Sequence, residues 1–421
     1  MKTVTVLGAS IPHADAINRV PTAIRICMHV LGPARTDARI MREATALVEE
    51  GFAVSIVDIE SDGGQNVEEE IQGVFLKHIF VSKSFLSTRF ARWSLIKAIQ
   101  ILLRVTLCVM RTPADIYHAH DVSGLLPCYI AARLQRKPLI FDAHEIPLSY
   151  MSIRSRSILA CLSLLLMHIL PRCAGVITVS HPIAQEMRTR YRLPKVSLVR
   201  NVPTYRAVSK SDRLRQCLEL SPDTRIALYQ GYLQPDRSLD RLVRAARYLD
   251  PGIVIVLMGQ SQGSTQAQLD ALIASEGVSE RVKILPPVPY EELLDWTVSA
   301  DIGLVVFSPD YSLSIRWCLP NKLFEYLMVG LPILSSELDA VVEVVKTYEV
   351  GQVVSSLAPV DVARTINTML ADPVALAAMR CNALNAAQQE FHWGNERQRL
   401  IELYHNVLGV QGRPQGSFLE E

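Results

Sequence analysis

The chain alternates short apolar runs with amphipathic segments of helical period, and it does so in two successive series. In the first series, apolar runs begin near Ile24 and Val54. Between them, Ile40, Ala44 and Leu47 recur at the spacing of one helix face. This strand–helix–strand order is typical of a parallel sheet with right-handed crossover connections. The alternation therefore predicts an α/β fold whose strands are buried on both faces.

Further apolar runs extend both series. They cover residues 115–120, 138–142, 175–180 and 196–199 in the first, and residues 226–229, 253–258, 282–285, 302–307 and 332–335 in the second. A polar, basic stretch over residues 204–216 separates the series and is typical of a linker. The 421 residues, 49% of them hydrophobic, suffice for two or three domains with large cores. We therefore predict two doubly wound domains, in which ligands bind beyond the carboxyl ends of the strands.

The net charge and the cysteines exclude some classes of protein. The formal net charge of +1 disfavours a nucleic-acid binder. Residues 1–203 carry 24 Lys and Arg against 16 Asp and Glu, whereas residues 204–421 carry 19 against 26. The eight cysteines form no C-x-x-C pair, which indicates reduced, buried thiols. We expect a cytoplasmic protein, because the sequence shows no signal-peptide pattern and no apolar stretch of the ~18 residues that a membrane span needs.

A glycine turn follows the first strand of the second series. The turn contains Gly231, and Arg237 lies at the predicted start of the next helix. Glycine lets a ligand approach the backbone closely, and a cation at a helix N-terminus opposes the helix dipole unless an anion compensates it. Arg237 therefore indicates a phosphate ligand; the alternative is a surface arginine in a loop.

Residues 320–332 form a second motif. Pro320 is typical of a helix start, and Gly330 of the residue that stops a helix. Free amides in the first turn can bind phosphate, and Lys322 adds a positive charge. Glu325, one turn into the helix, can accept hydrogen bonds from two sugar hydroxyls, although a glutamate there also favours the helix dipole alone.

Together these segments resemble the family 4 glycosyltransferases, which have the GT-B fold. The similarity rests on Arg237 in its glycine turn, 88 residues before Glu325, and on the run Asn321–Tyr326. It also includes residues 115–121, 141–145 and 174–180, and it extends from about Ile24 to Tyr404. The resemblance implies two Rossmann-like domains that face each other across a cleft.

The expected domain boundaries follow the two series. An N-terminal, acceptor-side domain is expected over residues 1–203, and a C-terminal domain that binds the nucleotide sugar over residues 212–393. A last helix over about 394–421 is expected to pack back on the N-terminal domain.

The resemblance also implies roles for individual residues of the donor site. Arg237 and Lys322 would hold the diphosphate, and Glu325 would bind the nucleotide ribose. The amides of Leu323 and Phe324 would add to the diphosphate site. The other expected donor contacts are Gly32, Gly231, Gly259, Gln260, Pro287, Val288, Pro289 and Asn321.

On the N-terminal side, the resemblance places His120 opposite the donor sugar, with Asp121 orienting it. His144 and Glu145 end the neighbouring strand, in the position expected for acceptor contacts. A histidine that merely ends a strand is the structural alternative. The predicted catalytic set is His120, Arg237, Lys322 and Glu325.

The predicted chemistry needs no metal and no cofactor, since the sequence has no Asp-x-Asp pair and no spaced His/Cys cluster. Arg237, Lys322 and helix amides would instead offset the charge of the leaving nucleotide. The resemblance implies retention of the anomeric configuration by a front-face mechanism, in which the leaving phosphate helps to deprotonate the acceptor.

Two positions depart from the family pattern. Tyr232 stands where an arginine is common, and Trp317 stands where a glutamate is common, eight residues before Glu325. Arg316 and Arg39 are expected as substitutes at the diphosphate. The identity of the donor sugar therefore stays open.

Two segments without acidic residues, 71–114 and 146–185, interleave bases with large apolar residues. Basic amphipathic helices suit an anionic membrane surface or a lipid-phosphate acceptor. The alternative is that residues 158–170 form a core helix and the bases are solvated. The bases are Lys77, Lys83, Arg89, Arg92, Lys97, Arg104, Arg111, Arg154 and Arg156.

We therefore predict a metal-independent, retaining, hexosyltransferase-type enzyme of cell-surface glycan or glycolipid synthesis, peripheral on the inner face of the plasma membrane. Its expected partners are a nucleotide-sugar donor of the UDP type and a glycan or lipid-linked acceptor. A glycosyltransferase for a small soluble metabolite and a catalytically silent GT-B scaffold are the alternatives. A dinucleotide oxidoreductase is disfavoured, because no G-x-G-x-x-G follows the first strand.

Overall fold

The computed structural model of the protein describes residues 23–60, 67–81, 91–149 and 156–409, without the side chains of residues 91–95 and 236. Residues 1–21, which the sequence leaves open between an extra edge strand and a loose arm, lie outside the described residues. The same holds for Lys83, Arg89 and Arg154.

Eight strands form the N-terminal sheet in the order β3-β4-β2-β1-β5-β6-β7-β8. All neighbouring strands are parallel except β3 and β4, which are antiparallel. The strands are β1 (Arg25–His29), β2 (Ala53–Glu60), β3 (Glu68–Ile71), β4 (Val74–Phe80), β5 (Ile116–His120), β6 (Leu139–Ala143), β7 (Gly175–Thr178) and β8 (Ser197–Leu198).

Helices cover both faces of this sheet. They are α1 (Ala38–Glu49), α2 (Ala91–Arg111), α3 (Asp121–Gln135), α4 (Arg156–Ile169) and α5 (His181–Tyr191). Helix α1 begins after Asp37, whose carboxylate caps the helix by accepting hydrogen bonds from the amides of Arg39 and Ile40. Its apolar stripe packs on one face of the sheet, and α2 to α5 contribute to the core on the other face.

Six parallel strands form the C-terminal sheet in the order β11-β10-β9-β12-β13-β14. They are β9 (Arg225–Gln230), β10 (Ile253–Met258), β11 (Val282–Leu285), β12 (Ile302–Val305), β13 (Ile333–Ser336) and β14 (Gly351–Val354). The helices are α6 (Arg213–Cys217), α7 (Leu239–Ala245), α8 (Thr265–Ser275), α9 (Leu293–Thr297), α10 (Leu313–Trp317), α11 (Asn321–Met328), α12 (Asp339–Thr347), α13 (Pro359–Ala371) and α14 (Pro373–Gln389). Two doubly wound α/β domains are thereby confirmed.

The last helix, α15 (Trp393–Val407), packs against the N-terminal sheet. The hydroxyl of Tyr404 lies 2.7 Å from Nδ1 of His118 on β5, and both side chains are fully buried. At the start of the helix, the Trp393 amide donates to the Pro203 carbonyl oxygen at 2.9 Å. The chain therefore returns from the C-terminal domain at its end, and its last helix packs on the N-terminal domain.

The β3–β4 hairpin departs from the sequence prediction, which read residues 71–114 as basic amphipathic helix. Residues 74–80 form a strand instead, and Lys77 lies on β4 rather than on a helix. The turn at Gln72 and Gly73 has φ of 53° and 77°, the left-handed pair that favours a two-residue hairpin. Buried and partly exposed side chains alternate from Val74 to Lys77. This alternation with a period of two is typical of a strand. It was missed because the sequence prediction rested only on the mixture of basic and apolar residues in this segment.

Three cysteines also depart from expectation. Cys161, Cys217 and Cys381 are exposed, whereas the others are buried or half-buried, and all eight are free thiols. Within the described ranges, none of the helices has the length and hydropathy needed to cross a bilayer.

Candidate active site

A cavity of about 500 Å³ opens at the carboxyl ends of β9 and β10. It lies where ligands of doubly wound sheets bind. Its lining contains Tyr229, Gln230, Gly231, Tyr232, Arg237, Met258, Gly259, Gln260, Pro287, Val288, Tyr290, Leu293, Phe307, Pro320, Asn321, Lys322 and Glu325. The structure thus brings together most of the predicted donor residues, although they come from segments almost a hundred residues apart.

Two glycine turns form the floor of the cavity. Gly231 and Gly259 have φ of 117° and 152°, in a region that side chains strain. A Cβ atom on Gly259 would lie 1.9 Å from the Gly231 carbonyl oxygen, so the two turns touch backbone to backbone. Only glycine at position 259 allows the strand ends to approach this closely.

Two cations line the cavity and lie near the same aromatic ring. Arg237 ends a short 3₁₀ turn, Pro235–Arg237, and its guanidinium carbon lies 4.9 Å from the centre of the Phe307 ring. Lys322 comes from the first turn of α11, with Nζ 3.4 Å from the centre of the Tyr229 ring and 5.1 Å from that of Phe307. Aromatic rings therefore position both charges toward the same space, which suits a diphosphate.

Glu325 lies deeper in the cavity and is buried. The Gln230 side-chain amide donates to its Oε2 at 2.5 Å, and the Thr297 hydroxyl donates to Gln230 Oε1 at 2.8 Å. Burial raises the pKa of Glu325, although the Gln230 hydrogen bond and the charge of Lys322 oppose that shift. The carboxylate is held in one orientation and keeps acceptor capacity toward the cavity.

Gln230 is a site residue that the sequence reasoning missed. It is a buried amide at the carboxyl end of a mainly apolar strand. A polar residue at such a strand end is the sequence feature that could have identified it. Apolar and aromatic groups line another part of the cavity, where Pro287, Val288 and Tyr290 contribute. A flat nucleobase fits such a wall better than a sugar does.

Four predicted donor residues do not line this cavity: Gly32, Pro289, Leu323 and Phe324. Leu323 and Phe324 are fully buried in the C-terminal core, and the Leu323 amide donates to the Pro320 carbonyl oxygen at 2.9 Å. Gly32, with φ of 135°, lies in the loop between β1 and α1. Their roles in donor binding stay predictions.

The N-terminal strand ends hold a buried polar cluster centred on Asp142. Its carboxylate accepts hydrogen bonds from Nε and Nη2 of Arg39 at 2.9–3.1 Å. Nε2 of His144 lies 3.1 Å from Asp142 Oδ2, and Nδ1 of His120 lies 3.5 Å from it. Asp121 adds a second carboxylate, because its Oδ1 accepts from the His144 amide at 3.0 Å.

These contacts set the charge states in the cluster. Burial alone would raise the pKa of Asp142, but the Arg39 guanidinium and His144 hold it well below its usual range. Burial alone would lower the pKa of His144, but Asp142 and Asp121 raise it to about 9. The His144 side chain is 20% exposed, so it presents a positive charge to solvent at neutral pH.

The predicted catalytic histidine, His120, belongs to this cluster and is fully buried. Its Nδ1 lies 3.4 Å from His144 Nε2, and its Nε2 has no hydrogen-bond partner in the structure. The donor cavity does not include it. Of the N-terminal candidates, His144 is therefore the more exposed imidazole.

Hydrogen bonds join the two domains at the rim of the cleft. The Ser314 hydroxyl donates to Glu145 Oε2 at 3.1 Å and lies 2.7 Å from the Ser149 hydroxyl. Ser180 donates to the Trp317 carbonyl oxygen at 2.7 Å. Glu145, an expected acceptor contact, thus faces the C-terminal domain.

The two residues that depart from the family pattern lie in different surroundings. The Trp317 indole donates to Asp339 Oδ2 at 2.9 Å, and Arg316 donates to Oδ1 of the same carboxylate at 3.0 Å. Tyr232 is 57% exposed and lines the donor cavity. Arg316 and Arg39, the expected substitutes at the diphosphate, both lie outside the cavity lining, because each is held by carboxylates elsewhere.

Two groups of His, Asp and Glu side chains in the described part of the chain have the spacing of metal ligands. One consists of Glu43, His118, His120 and Asp142, and the other of Asp58, Glu60 and His78. Glu325 is in neither group. The expected absence of a metal at the diphosphate therefore stays a prediction.

Two protein-family models together match most of the chain. Glycosyltransferase Family 4 matches residues 38–202, and Glycosyl transferases group 1 matches residues 210–390. Among curated proteins, the chain is similar to the D-inositol 3-phosphate glycosyltransferase of Nocardia farcinica (strain IFM 10152), with 31% identity over 223 residues. That match covers 51% of this chain and 47% of the relative, so the chain spans about half the length of the curated relatives it matches.

Solved structures resemble almost the whole chain. Sucrose-phosphate synthase from Thermosynechococcus elongatus matches with a TM-score of 0.72 and 15% identity, over 92% of this chain and 100% of that one. Anabaena HepE in complex with UDP matches with a TM-score of 0.69 and 16% identity, over 90% and 99%. At this level of identity the likeness shows the fold, which is GT-B.

Proposed function

Because the chain belongs to the family 4 glycosyltransferases, we propose that it transfers a hexose from a nucleoside diphosphate sugar of the UDP type to an acceptor. We further propose that the transfer retains the anomeric configuration and needs no metal at the diphosphate. One observation carries the proposal: Arg237, Lys322 and Glu325 line a single cavity at the strand ends of the C-terminal domain. HepE, a protein of similar fold, was solved with UDP, which supports a donor of this type.

In this proposal, the bond between the anomeric carbon and the β-phosphate oxygen breaks while the acceptor oxygen bonds to the same carbon. The acceptor proton passes to the leaving phosphate on the same face of the sugar, so the configuration is retained. Arg237 and Lys322 offset the negative charge that grows on the phosphate, and because they are already held by aromatic rings, little reorganisation is needed.

A thermal-shift screen of the full chain against UDP, GDP, ADP and TDP sugars tests the donor proposal. A ligand that binds only the folded state raises the melting temperature by mass action. We expect a rise with UDP sugars and a smaller or no rise with the others. A catalytically silent scaffold would give no turnover of the stabilising donor with any acceptor, and that result would favour the scaffold alternative.

Glu325→Gln is expected to weaken donor binding about tenfold while the fold is kept. A hydrogen bond to a charged group contributes about 1.5–3 kcal/mol, and the variant loses the charge that strengthens the ribose contact. Its amide oxygen can still accept from Gln230, so the melting temperature should stay near that of the wild type.

The measurement is the dissociation constant of the nucleoside diphosphate sugar, with Glu343→Gln, an exposed glutamate of α12, as the matched control. Acidification should weaken binding to the wild type, because Glu325 has a raised pKa and protonates first. Equal affinities for Glu325→Gln and the control would leave Glu325 with the helix-dipole role alone.

For the acceptor, we propose a glycan or lipid-linked molecule at an anionic membrane surface. The observation that favours it is an exposed apolar surface on α2 and α4, two helices without acidic residues. Large side chains that are 37–65% exposed form this surface: Ile96, Ile99, Leu103 and Leu107 on α2, and Ile158, Leu159, Leu164 and Met167 on α4.

Exposed bases accompany these apolar side chains. They are Arg104 and Arg111 on α2, Arg156 on α4, and Arg172 just beyond it. In α4 only Leu166 and Ile169 are buried, which argues against the alternative that residues 158–170 form a core helix. Apolar insertion flanked by bases is the pattern of interfacial binding, with about 1 kcal/mol per base near the surface.

Cosedimentation with liposomes tests this surface. The wild type should sediment with anionic liposomes, sediment little with neutral ones, and be released by high salt, because exposed charges are screened. Replacing Leu103, Leu107, Arg104 and Arg156 together with Ser should abolish sedimentation and leave donor binding intact. The control replaces Arg247 and Arg364, exposed bases of the C-terminal domain, with Ser. A wild type that ignores anionic liposomes at low salt would contradict the membrane proposal.

A small soluble acceptor is the second candidate. The observation that favours it is the similarity to curated relatives that are D-inositol 3-phosphate glycosyltransferases. The positive charge of His144 at the cleft would suit a phosphate on such an acceptor. Transfer to D-inositol 3-phosphate in the absence of any membrane would establish this candidate over the lipid-linked one.

A further inference from the structure

A second buried polar cluster lies at the sheet edge formed by β2, β3 and β4. Asp58 and Glu60 come from β2 and His78 from β4, and they are 0, 6 and 5% exposed. The register of the two strands places Asp58 opposite His78. Glu69 approaches the same imidazole from β3. The donor cavity includes none of these residues.

The cluster directs three ligand atoms at one point. Nδ1 of His78 lies 2.7 Å from Asp58 Oδ1 and 3.6 Å from Glu60 Oε1. One ligand atom from each residue lies within 4.8 Å of the other two. Glu60 Oε1 is buried and accepts no hydrogen bond from any residue in the described ranges. Leaving a buried carboxylate oxygen unpartnered costs free energy, which a cation at this point would offset.

The far side of the imidazole is also arranged for a ligand role. Nε2 of His78 lies 3.1 Å from Glu69 Oε1. With Nδ1 on a metal ion, Nε2 carries the proton and donates it to this carboxylate. A carboxylate behind a metal-bound histidine fixes the ring orientation and raises the basicity of the ligand nitrogen.

The charges in the cluster favour a cation. Asp58, Glu60 and Glu69 supply three carboxylates, and Arg35 pairs with two of them, 3.0 Å from Glu60 and 3.7 Å from Glu69. The Arg35 side chain is 46% exposed, so it compensates the cluster only from its rim.

The other cluster with metal-ligand spacing differs in this respect. There the guanidinium of Arg39 lies 3.0 Å from Glu43 and 2.9 Å from Asp142, and its side chain is only 4% exposed. A permanent cation therefore already stands between the two carboxylates. Within the described residues, the arginine that pairs with the Asp58, Glu60 and His78 cluster is Arg35, whose side chain is 46% exposed.

We propose that Asp58, Glu60 and His78 bind one divalent transition-metal ion, Zn²⁺ being the ion that fits best. Zn²⁺ accepts imidazole nitrogen and carboxylate oxygen at about 2.0–2.2 Å, whereas Mg²⁺ and Ca²⁺ prefer oxygen ligands alone. Tetrahedral bonds of this length separate the ligand atoms by about 3.3 Å. Binding therefore replaces the hydrogen bond between Asp58 and His78, draws Glu60 inward, and releases any proton on Nδ1.

The ion ties the loop between β1 and α1 to the edge of the sheet. The Ala34 amide donates to Asp58 Oδ2 at 2.9 Å, and the neighbouring Arg35 binds Glu60. Arg35 also lines a cavity between the two domains. The role of the metal is to hold this loop, and no step of sugar transfer passes through it.

Metal titration of the full chain, stripped with a chelator, tests the proposal. The wild type should bind one equivalent of Zn²⁺ or Co²⁺ at this site, and Glu60→Gln, which keeps the side-chain shape, should bind none there. Glu69→Gln should bind about 10–100-fold more weakly, as loss of the outer carboxylate implies. The matched control is Glu68→Gln on the same strand, a half-exposed residue that pairs with Lys77.

Cobalt spectra separate this site from the free cysteines. The proposed ligand set gives d–d bands without thiolate charge transfer. Replacing the exposed Cys161, Cys217 and Cys381 with Ser should leave these bands unchanged. Circular dichroism without metal checks that each variant folds, and a Zn²⁺-dependent rise in melting temperature should occur in the wild type and not in Glu60→Gln.

The proposal is overturned if the wild type binds no metal, if Glu60→Gln binds it as the wild type does, or if the cobalt spectrum shows thiolate ligation. Donor binding by the Zn²⁺-loaded protein is measured in parallel. If that fails while metal binding succeeds, the proposed transfer function is wrong and the metal site stands.

Discussion

Arg237→Ala is expected to weaken binding of the nucleoside diphosphate at least tenfold. The guanidinium lies over the Phe307 ring in the donor cavity, which Lys322 also lines. A charge-assisted hydrogen bond contributes about 1.5–3 kcal/mol, and about 1.4 kcal/mol corresponds to a factor of ten in affinity. An arginine that makes two such bonds to a diphosphate would account for a loss well beyond tenfold.

Calorimetric titration with the diphosphate measures this loss. Arg241→Ala is the matched control, because it removes the same charge from the same segment. Arg241 lies within α7, is exposed, and donates to the Leu357 carbonyl oxygen instead of lining the cavity. If Arg237→Ala and Arg241→Ala bind the diphosphate equally well, Arg237 does not belong to the donor site.

Asp142→Ala is expected to destabilise the N-terminal domain by about 3 kcal/mol. Removing one partner of a buried ion pair typically costs about 3–5 kcal/mol, because the other charge is left buried. The lower end of this range is expected here, because Glu43 remains 3.0 Å from Arg39 and can compensate its charge. Burial and the charge of Asp142 both raise the pKa of Glu43, so removing Asp142 lowers that pKa and favours the ionised carboxylate. The partner left behind is a guanidinium with only 4% of its side chain exposed.

Urea unfolding measures the effect, with Glu186→Ala as the control. Glu186 pairs with Arg190 at 2.6 Å on α5, but that arginine is half exposed, so a cost of at most about 1 kcal/mol is expected. A change in unfolding free energy no larger than that of the control would contradict the assigned role of Asp142.

The same variant should change how stability depends on pH. The folded pKa of His144 is raised to about 9, above the ~6.5 of a free imidazole. Its stabilisation is therefore complete below about pH 6.5 and is lost as the pH rises toward 9. Since Asp142 is the main charge that raises this pKa, the difference between wild type and Asp142→Ala should shrink over that range. A difference that is constant with pH would exclude this linkage.

The donor site could be predicted from the sequence because its signals are local. The glycine turn with Arg237 and the helix with Lys322 and Glu325 each follow a recognisable strand, and parallel strands bring their carboxyl ends to one edge. The missing member, Gln230, makes its contacts to Glu325 and Thr297 across the fold, and neither contact has a local sequence pattern.

The N-terminal clusters were harder to predict because they depend on strand order. Arg39 and Asp142 are 103 residues apart and meet because β1, β5 and β6 are neighbours in the sheet. Sequence reasoning assigned Arg39 to the diphosphate, whereas it is buried against Asp142. Likewise, Asp58 and His78 pair only through the β2–β4 register, which could not be inferred while residues 74–80 were read as helix.

A ³¹P NMR titration of UDP with the full chain tests the central claim most directly, because it observes the diphosphate itself. Arg237 and Lys322 are proposed to hold that group, while the wall formed by Pro287 and Val288 holds the base. We predict that both phosphorus resonances shift and broaden with the wild type and respond far less with Arg237→Ala. Base protons that respond to the protein while the phosphorus resonances do not, or no response of either, would contradict the account.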